Sequence, residues 1–219
     1  MCGRYTWTAT NGGKFKKLIK DPEQPEKPSY NRAPGQSHPS ISNQSGAIQW
    51  DNMLWGNPRS DSLPNSFFPI NARSETVQEK PIFKDSYIER RCLIPADGWF
   101  EWQIIEDQKY PHHISSEKNE TFAFAGIWRN INQKKVFSIL TRKAASNIFH
   151  IHHRAPLALT EDYWTEWLNE KKVEESLSLL MQIKQPPWKA TQVSSRVNST
   201  RNNDPELLKP EKGKQSLLF

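Results

Sequence analysis

The alternation of hydrophobic and polar residues along the chain predicts more strands than helices. Short stretches rich in β-branched and aromatic side chains are separated by Pro, Gly, Asn and Asp, which is typical of β structure. We therefore predict strands over residues 48–55, 91–95, 98–105, 109–114, 121–129, 135–141, 157–159 and 188–197, with a weaker candidate at Ile41. Polar residues at 106–108 and 130–132 are the predicted turns of two hairpins.

Apolar residues at helical spacing occur in short segments. The predicted helices are 14–20, 83–90, 144–149, 160–168 and 173–183. Thr160 is the predicted N-cap of the fourth helix, because acidic residues follow it in the first turn. Residues 30–34 and 69–76 are predicted turns, 59–69 a loop, and about 206–219 a flexible tail.

No internal repeat, long low-complexity segment or linker divides the 219 residues. The pattern therefore predicts one α+β domain over residues 1–219, with a mainly antiparallel β core and flanking short helices. Hydrophobic residues make up only 35% of the chain, but nine Trp and ten Phe provide a large area for a buried core.

Charge and cysteine content narrow the functional classes. Thirty basic and 24 acidic residues give a net charge of +6, which favours polyanionic partners such as nucleic acid and is equally compatible with an ordinary basic protein. Two cysteines, Cys2 and Cys92, exclude a disulfide framework or a four-cysteine zinc site and indicate a reducing compartment. We expect no signal peptide and no membrane span, because no apolar run approaches about 18 residues.

The first four residues carry the most specific candidate chemistry. A small residue behind Met1 permits its removal, which makes Cys2 an N-terminal 1,2-aminothiol. With an aldehyde, the amine forms an imine, and the thiol then closes on the imine carbon to give a thiazolidine. Arg4 supplies a permanent cation suited to a phosphate. Taken alone, these residues fit an ordinary start with a chance cysteine better.

A carboxylate lies in the most aromatic segment of the chain, residues 94–102. In a strand, Glu101 shares one face with Trp99, while Phe100 and Trp102 share the other. Desolvation by indoles would raise the pKa of Glu101 toward neutrality, which suits a group that gives and takes protons. A strand-edge glutamate paired with Lys or Arg is an equally good interpretation.

The loop after the predicted helix 144–149 contains clustered histidines. His152 can move protons near neutral pH, although a solvated histidine fits as well. The neighbouring His150 and His153 raise the alternative of zinc. We disfavour a metal, because adjacent histidines are expected to point apart and no second ligand pair has suitable spacing.

The predicted turn at 69–76 and the loop before it add further candidates. Asn71 can bond an amine or a sugar hydroxyl, and Arg73 can bind phosphate, although both residues are also common on turns. Phe67 and Phe68 can stack on bases, but a core position is favoured for this pair.

Seven motifs occur in an order that resembles a known family. They are MCGRY at 1–5, YNRAP at 30–34, WG at 55–56, INARSET at 70–76, RCLIPADGWFEW at 91–102, FAGIW at 124–128 and HHRAP at 152–156. Together with VN at 197–198 and NDP at 203–205, they resemble the SRAP family, the SOS-response-associated peptidase or abasic-site-processing proteins. The resemblance covers nearly the whole chain and implies a single SRAP-type domain with a barrel-like β core.

The resemblance also implies an activity. The family caps abasic sites in single-stranded DNA, including replication-fork junctions, through a thiazolidine between the N-terminal cysteine and the ring-opened deoxyribose. By this resemblance Cys2 is the nucleophile and Asn71 positions its amine. Glu101 protonates the sugar ring oxygen and assists imine formation. His152 transfers protons, including those needed for reversal of the crosslink.

The remaining implied features concern DNA binding and the protein's setting. Arg4, Arg73 and Arg154 would hold phosphates, and Trp102 would lie at the DNA surface. The expectation is a monomer without metal or cofactor, cytoplasmic and nucleoid-associated in a bacterium or nuclear in a eukaryote. Two departures from the family pattern are Ala155, where Met is usual, and the absence of an alignable Trp wedge in the loop 59–69.

Two other functions remain open from the residues. The first is a cysteine-dependent autoprocessing peptidase that uses Cys2, Glu101 and His152 in related roles. The second is a non-catalytic basic DNA-binding module, whose affinity would decrease steeply with salt.

Overall fold

The computed structural model describes residues 2–9, 13–20, 27–57, 67–169 and 183–211. The strands are β1 (Tyr5–Trp7), β2 (Ser29–Arg32), β3 (Ser37–Gln44), β4 (Ala47–Trp55), β5 (Asn71–Arg73), β6 (Arg91–Ala96), β7 (Gly98–Ile105), β8 (Gln108–Ser116), β9 (Phe122–Ile131), β10 (Lys134–Lys143), β11 (Arg154–Pro156), β12 (Ala158–Leu159) and β13 (Trp188–Gln192). The α-helices are α1 (Pro81–Glu89) and α2 (Trp164–Leu168). Short 3₁₀ helices cover Gly13–Lys17, Glu161–Tyr163, Ser195–Asn198 and Pro205–Leu208.

The strands form two mainly antiparallel sheets. The smaller sheet has the order β13-β8-β7-β1-β2. The larger has the order β11-β10-β4-β3-β6-β9-β12, and β9 also pairs with β10, so that strands follow one another around a barrel-like ring. Strand β10 runs parallel to β4 and to β5. The predicted α+β fold with a mainly antiparallel, barrel-like core is therefore confirmed.

Both predicted hairpins are present, and their turns explain the polar residues found there. Strands β7 and β8 are joined by Glu106 and Asp107, whose φ angles are 48° and 63°. Strands β9 and β10 are joined by Asn132 and Gln133, with φ angles of 50° and 64°, so this turn lies slightly after the predicted one. Two consecutive residues in the left-handed backbone conformation give a tight turn whose twist matches that of the flanking strands.

Predictions for the shortest elements are wrong. The segments predicted as turns at 30–34 and 69–76 contain β2 and β5, which are strands. They obtain their backbone hydrogen bonds from neighbouring strands, so no local pattern marks them. The helix predicted over 144–149 is absent: residues 144 and 145 have no regular structure, and residues 146–149 form turns. The side chain of Thr160 makes no capping hydrogen bond, although a 3₁₀ helix does begin at the next residue.

The C-terminal part of the described chain is ordered further than predicted. Leu207 is fully buried in the last 3₁₀ helix, and Val193 forms a β-bridge with Pro210. The tail predicted from about residue 206 is therefore wrong as far as 211. The predicted helix over 173–183 lies outside the described residues except for Ile183, which is buried.

The two faces of β7 contact different apolar clusters, as the alternation in its sequence predicts. Trp99 belongs to the main core, whereas Phe100 is buried in a second cluster against which Trp102 packs. The other buried members of this second cluster are Val193, Val197 and Leu207. The C-terminal segment therefore covers the outer face of the smaller sheet.

Phe68 takes the core position favoured for the aromatic pair. It is fully buried and packs edge-to-face against Phe83, with ring centroids 5.7 Å apart. Phe67 is only half-buried. The rest of the loop in which a base wedge was sought, residues 58–66, lies outside the described residues.

Candidate active site

The pairing of β1 inside the smaller sheet buries Cys2. Strand β1 lies between β7 and β2, with Tyr5 opposite Trp99. The backbone N–H of Phe100 donates to Arg4 O at 3.0 Å, which continues this pairing toward the start of the chain. Cys2 is completely shielded from solvent, and its Sγ lies 3.7 Å from Arg4 O. The thiol therefore has a fixed position.

Asn71 is placed by the edge where β5 runs beside β10. Asn71 pairs with Ile139, and the indole N–H of Trp55 donates to Ile70 O at 2.9 Å. Gly56 has a φ of 65°, and a Cβ at this position would lie 2.5 Å from Cγ2 of Ile70. Only glycine lets the chain after β4 pass so close to the residue before Asn71.

A hydrogen bond joins these two elements. Nδ2 of Asn71 donates to Cys2 O at 2.9 Å. Oδ1 of Asn71 is buried and has no hydrogen-bond partner within the described residues. A buried amide oxygen without a partner is costly, so this acceptor next to Cys2 is suited to a donor that arrives during function.

Glu101 has the environment expected from its aromatic segment. Its side chain is only 2% exposed, and burial raises its pKa to about 7. Burial also raises the pKa of the Cys2 thiol well above its usual value, and the nearby charge of Glu101 adds to this shift. Glu101 therefore lies close enough to Cys2 to affect its ionisation, and it exchanges protons near neutral pH.

His152 is oriented by its own loop. Its Nδ1 lies 2.9 Å from the backbone N and 3.1 Å from the backbone O of Arg154. Burial lowers the pKa of His152, which favours the neutral ring. His152 is thus a neutral imidazole in the lining of a cavity.

One cavity of about 450 Å³ brings several of the predicted residues together. Arg4, Glu101, Trp102 and His152 are all in its lining, which Ile104, Lys109 and Asn198 complete. Cys2 is not in the lining, but it is close enough to the lining residue Glu101 for that charge to raise its pKa. Residues that are distant in the sequence therefore surround one space that is large enough for a sugar.

The other two predicted arginines lie elsewhere. Arg73 is exposed at the end of β5, on the same strand face as Asn71. Arg154 is mostly buried and makes a bidentate ion pair with Glu75, with N···O distances of 2.6 and 2.9 Å. It also donates to Thr141 O at 2.6 Å. Its guanidinium is therefore already bonded inside the protein.

Two asparagines that the sequence did not single out as site residues organise one wall of the cavity. Trp102 Nε1 donates to Oδ1 of Asn198 at 2.8 Å, and Arg4 donates to Asn198 O at 3.4 Å. The amide of Asn31 donates to several backbone carbonyls of this segment. Asn31 belongs to the YNRAP motif and Asn198 to the VN motif, which was the only sign in the sequence of their importance. No local pattern indicates that the two segments are in contact.

The structure also bears on metal binding and on Ala155. Among the described residues there is no group of His, Cys, Asp and Glu arranged to hold a metal ion. The rings of His152 and His153 stack with their centroids 4.6 Å apart, so the expectation that they point apart is wrong.

Ala155, which departs from the family pattern, is buried in the main core. No helix in the described part of the chain is long and apolar enough to cross a membrane.

Comparison with known proteins places the chain in a family. The family model described as SOS response associated peptidase (SRAP) matches residues 1–200. The chain belongs to the SRAP family. This confirms the resemblance drawn from the seven motifs.

SRAP relatives match the chain over nearly its whole length. Abasic site processing protein YoqW of Bacillus subtilis is 35% identical over 221 residues, which is 95% of this chain and 99% of the relative. Abasic site processing protein YedK of Escherichia coli is 30% identical over 227 residues, 96% of this chain and 100% of the relative. A crystal structure of a protein from Bacteroides thetaiotaomicron shares the fold, with a TM-score of 0.75 at 23% identity, and covers 96% of this chain and 100% of that one.

Proposed function

We propose that this protein processes abasic sites in single-stranded DNA, including those at replication-fork junctions, by linking them covalently to Cys2. Its relatives in the SRAP family carry the name abasic site processing protein. The observation that carries the proposal is the placement of Cys2, which is hydrogen-bonded to Asn71 and close to a Glu101 whose pKa is about 7.

The reaction begins with removal of Met1, which frees the amine of Cys2. Oδ1 of Asn71, which lacks a partner within the described chain, would accept a hydrogen bond from this amine. Since Nδ2 already donates to Cys2 O, the amide would hold the nucleophile at two points. The amine lone pair is then directed toward the sugar carbonyl.

Attack on C1′ of the ring-opened deoxyribose gives a carbinolamine, which must lose water. Glu101, with a pKa of about 7, would donate the proton with which the hydroxyl leaves and then take one back from nitrogen. The Cys2 thiol next adds to the imine carbon, and its proton passes to the nitrogen. One C–N and one C–S bond form, one water leaves, and no group is oxidised or reduced.

His152 would serve the same proton transfers from its place in the cavity lining. A neutral imidazole can donate one proton and accept another, which suits transfers to and from the sugar oxygen atoms. The same donor, acting on the thiazolidine, would assist ring opening. Reversal of the crosslink would therefore use the groups that form it.

The structure disfavours a peptidase mechanism at this site. A cysteine peptidase requires a thiolate, which depends on a lowered thiol pKa. Burial instead raises the pKa of Cys2, and the charge of Glu101 raises it further. In the proposed reaction the amine attacks first, and the thiol gives its proton to the imine nitrogen as it adds.

DNA would be held by cations and aromatic surface around the cavity. Arg4 and Trp102 line it directly, and Arg73 lies exposed on the strand that carries Asn71. Arg154 is the fourth candidate for phosphate binding, although its guanidinium contacts Glu75 in the absence of DNA. A phosphate would therefore have to compete with this carboxylate.

Changing Glu75 to Gln tests this competition. Because the carboxylate is removed, Arg154 becomes available to phosphate, and we expect tighter binding of an intact single-stranded oligonucleotide. The slope of log K against log salt should steepen by about 0.7, the value for one added phosphate contact on a single strand. Fluorescence anisotropy at several salt concentrations measures both quantities.

Glu120→Gln is the control for the Glu75 experiment. It removes an exposed carboxylate that pairs with Lys14, away from the cavity lining. Its binding curve should match that of the wild type. An unchanged slope in Glu75→Gln would show that Arg154 does not contact phosphate.

A substrate without an aldehyde tests the proposed function directly. The purified protein, shown by mass spectrometry to begin at Cys2, is incubated with a single-stranded abasic oligonucleotide or with its tetrahydrofuran analogue. We expect a heat-stable adduct with the abasic strand and none with the analogue, because the analogue cannot form an imine. Equal adducts with both strands, or none with either, would contradict the proposal.

A further inference from the structure

The β7–β8 hairpin carries two exposed isoleucines next to an acidic turn. Its turn consists of Glu106 and Asp107 in the left-handed region, which fixes the direction of the hairpin. Ile104 is 63% exposed and Ile105 46%, the two highest values for large apolar side chains among the described residues. Ile104, the more exposed of the two, is therefore accessible to a bound molecule.

Near its turn, this hairpin reaches the reaction cavity through Ile104 and Lys109 but not through Ile105. Ile104 follows Trp102 on the same strand face, about 6.6 Å further along β7, and both line the cavity with Glu101. Lys109 is the cross-strand partner of Ile104 and lines the same cavity. Ile105 points to the opposite face and is not in the lining.

The charges on the hairpin are also arranged asymmetrically. Lys109 lies beside Ile104, whereas Glu106 and Asp107 occupy the end of the turn. A phosphate backbone is attracted to the lysine and repelled by the carboxylates. A polyanionic strand leaving the cavity would therefore follow the face of Trp102, Ile104 and Lys109.

We propose that Ile104 and Lys109 form a binding subsite for the unpaired nucleotide next to the lesion. Ile104 packs against the base and Lys109 contacts its phosphate, as single-strand binders combine apolar platforms with cations. This inference rests on the proposed function, since it takes the occupant of the cavity to be a DNA strand. It assigns to the hairpin a role in holding the strand, separate from the chemistry at Cys2.

The test measures binding of an intact single-stranded oligonucleotide, which requires no reaction. Ile104→Ser should weaken binding about five-fold, because part of an exposed isoleucine no longer becomes buried, and should leave the salt slope unchanged. Lys109→Gln should instead reduce the slope by about 0.7. Ile105→Ser, the same change one residue away on the opposite face, should have no effect.

Two results would overturn the inference. The first is an unchanged affinity in Ile104→Ser together with an unchanged slope in Lys109→Gln. The second is an equal loss of affinity in Ile104→Ser and Ile105→Ser, which would mean that the effect does not depend on a position in the cavity lining.

Adduct formation by the same variants separates this inference from the proposed function. If the wild-type protein forms the adduct but Ile104→Ser and Lys109→Gln bind the oligonucleotide as the wild type does, only the subsite is contradicted. Absence of a wild-type adduct would contradict the proposed function alone, if the binding differences are still observed. At saturating protein, the adduct rate of Ile105→Ser, whose side chain is not in the cavity lining, should equal that of the wild type.

Discussion

Replacing Cys2 with alanine is expected to abolish the heat-stable DNA adduct. The variant keeps an N-terminal amine beside Asn71, so it still forms an imine with the abasic sugar. It has no sulfur to close the thiazolidine, and the imine hydrolyses during heating. We therefore expect no adduct on a denaturing gel after heating, and a clear one when borohydride is added before heating to reduce the imine.

The borohydride result makes this prediction specific to the mechanism. A misfolded variant would give no adduct under either condition. A heat-stable adduct without borohydride would show that another nucleophile reacts with the sugar, and would remove Cys2 from its proposed role. Cys92→Ala is the matched control, because Cys92 is equally buried but lies in β6 of the larger sheet. Its adduct yield should equal that of the wild type.

Replacing Glu101 with glutamine should slow adduct formation about 100-fold, within the range attributed to one general acid–base group. Glutamine keeps the size and hydrogen-bonding ability of the side chain but cannot transfer a proton. The rate is measured with protein in excess over the abasic oligonucleotide, so that it reports the chemical step. An unchanged rate would exclude Glu101 as the proton donor.

The pH dependence of this effect identifies the reactive form of Glu101. The ratio of wild-type to variant rates cancels the titration of the other groups. Because the pKa of Glu101 is about 7, its acid form decreases from about one half at pH 7 to about one tenth at pH 8. The ratio should therefore decrease about five-fold over that interval. A ratio that increases with pH would mean that Glu101 acts only as a base.

Thermal unfolding provides the control for this variant. In the wild type, folded Glu101 has a pKa of about 7 instead of 4.5, so it retains a proton that the unfolded chain releases between these values. Its contribution to stability is therefore complete below pH 4.5 and is lost as pH rises through 7. Glutamine carries no such loss, so Glu101→Gln should melt no lower than the wild type at pH 8.

Much of the fold follows from local patterns in the sequence. Residues 98–105 alternate between two apolar faces, and the structure forms β7 over the same range, with Trp99 and Phe100 in different clusters. The β7–β8 and β9–β10 hairpins follow from polar turn residues that tolerate positive φ. Such elements are predictable because their determining contacts lie within a few residues.

The motifs alone were sufficient to identify the family and the aminothiol at Cys2. The ion pair of Arg154 with Glu75 and the hydrogen bonds from Asn31 to the segment of Asn198 appear only in the folded chain. The same is true of β5, a short strand without a pattern of its own, which brings Asn71 to Cys2. Contacts between remote segments depend on how whole sheets pack, and no local spacing of residues encodes that packing.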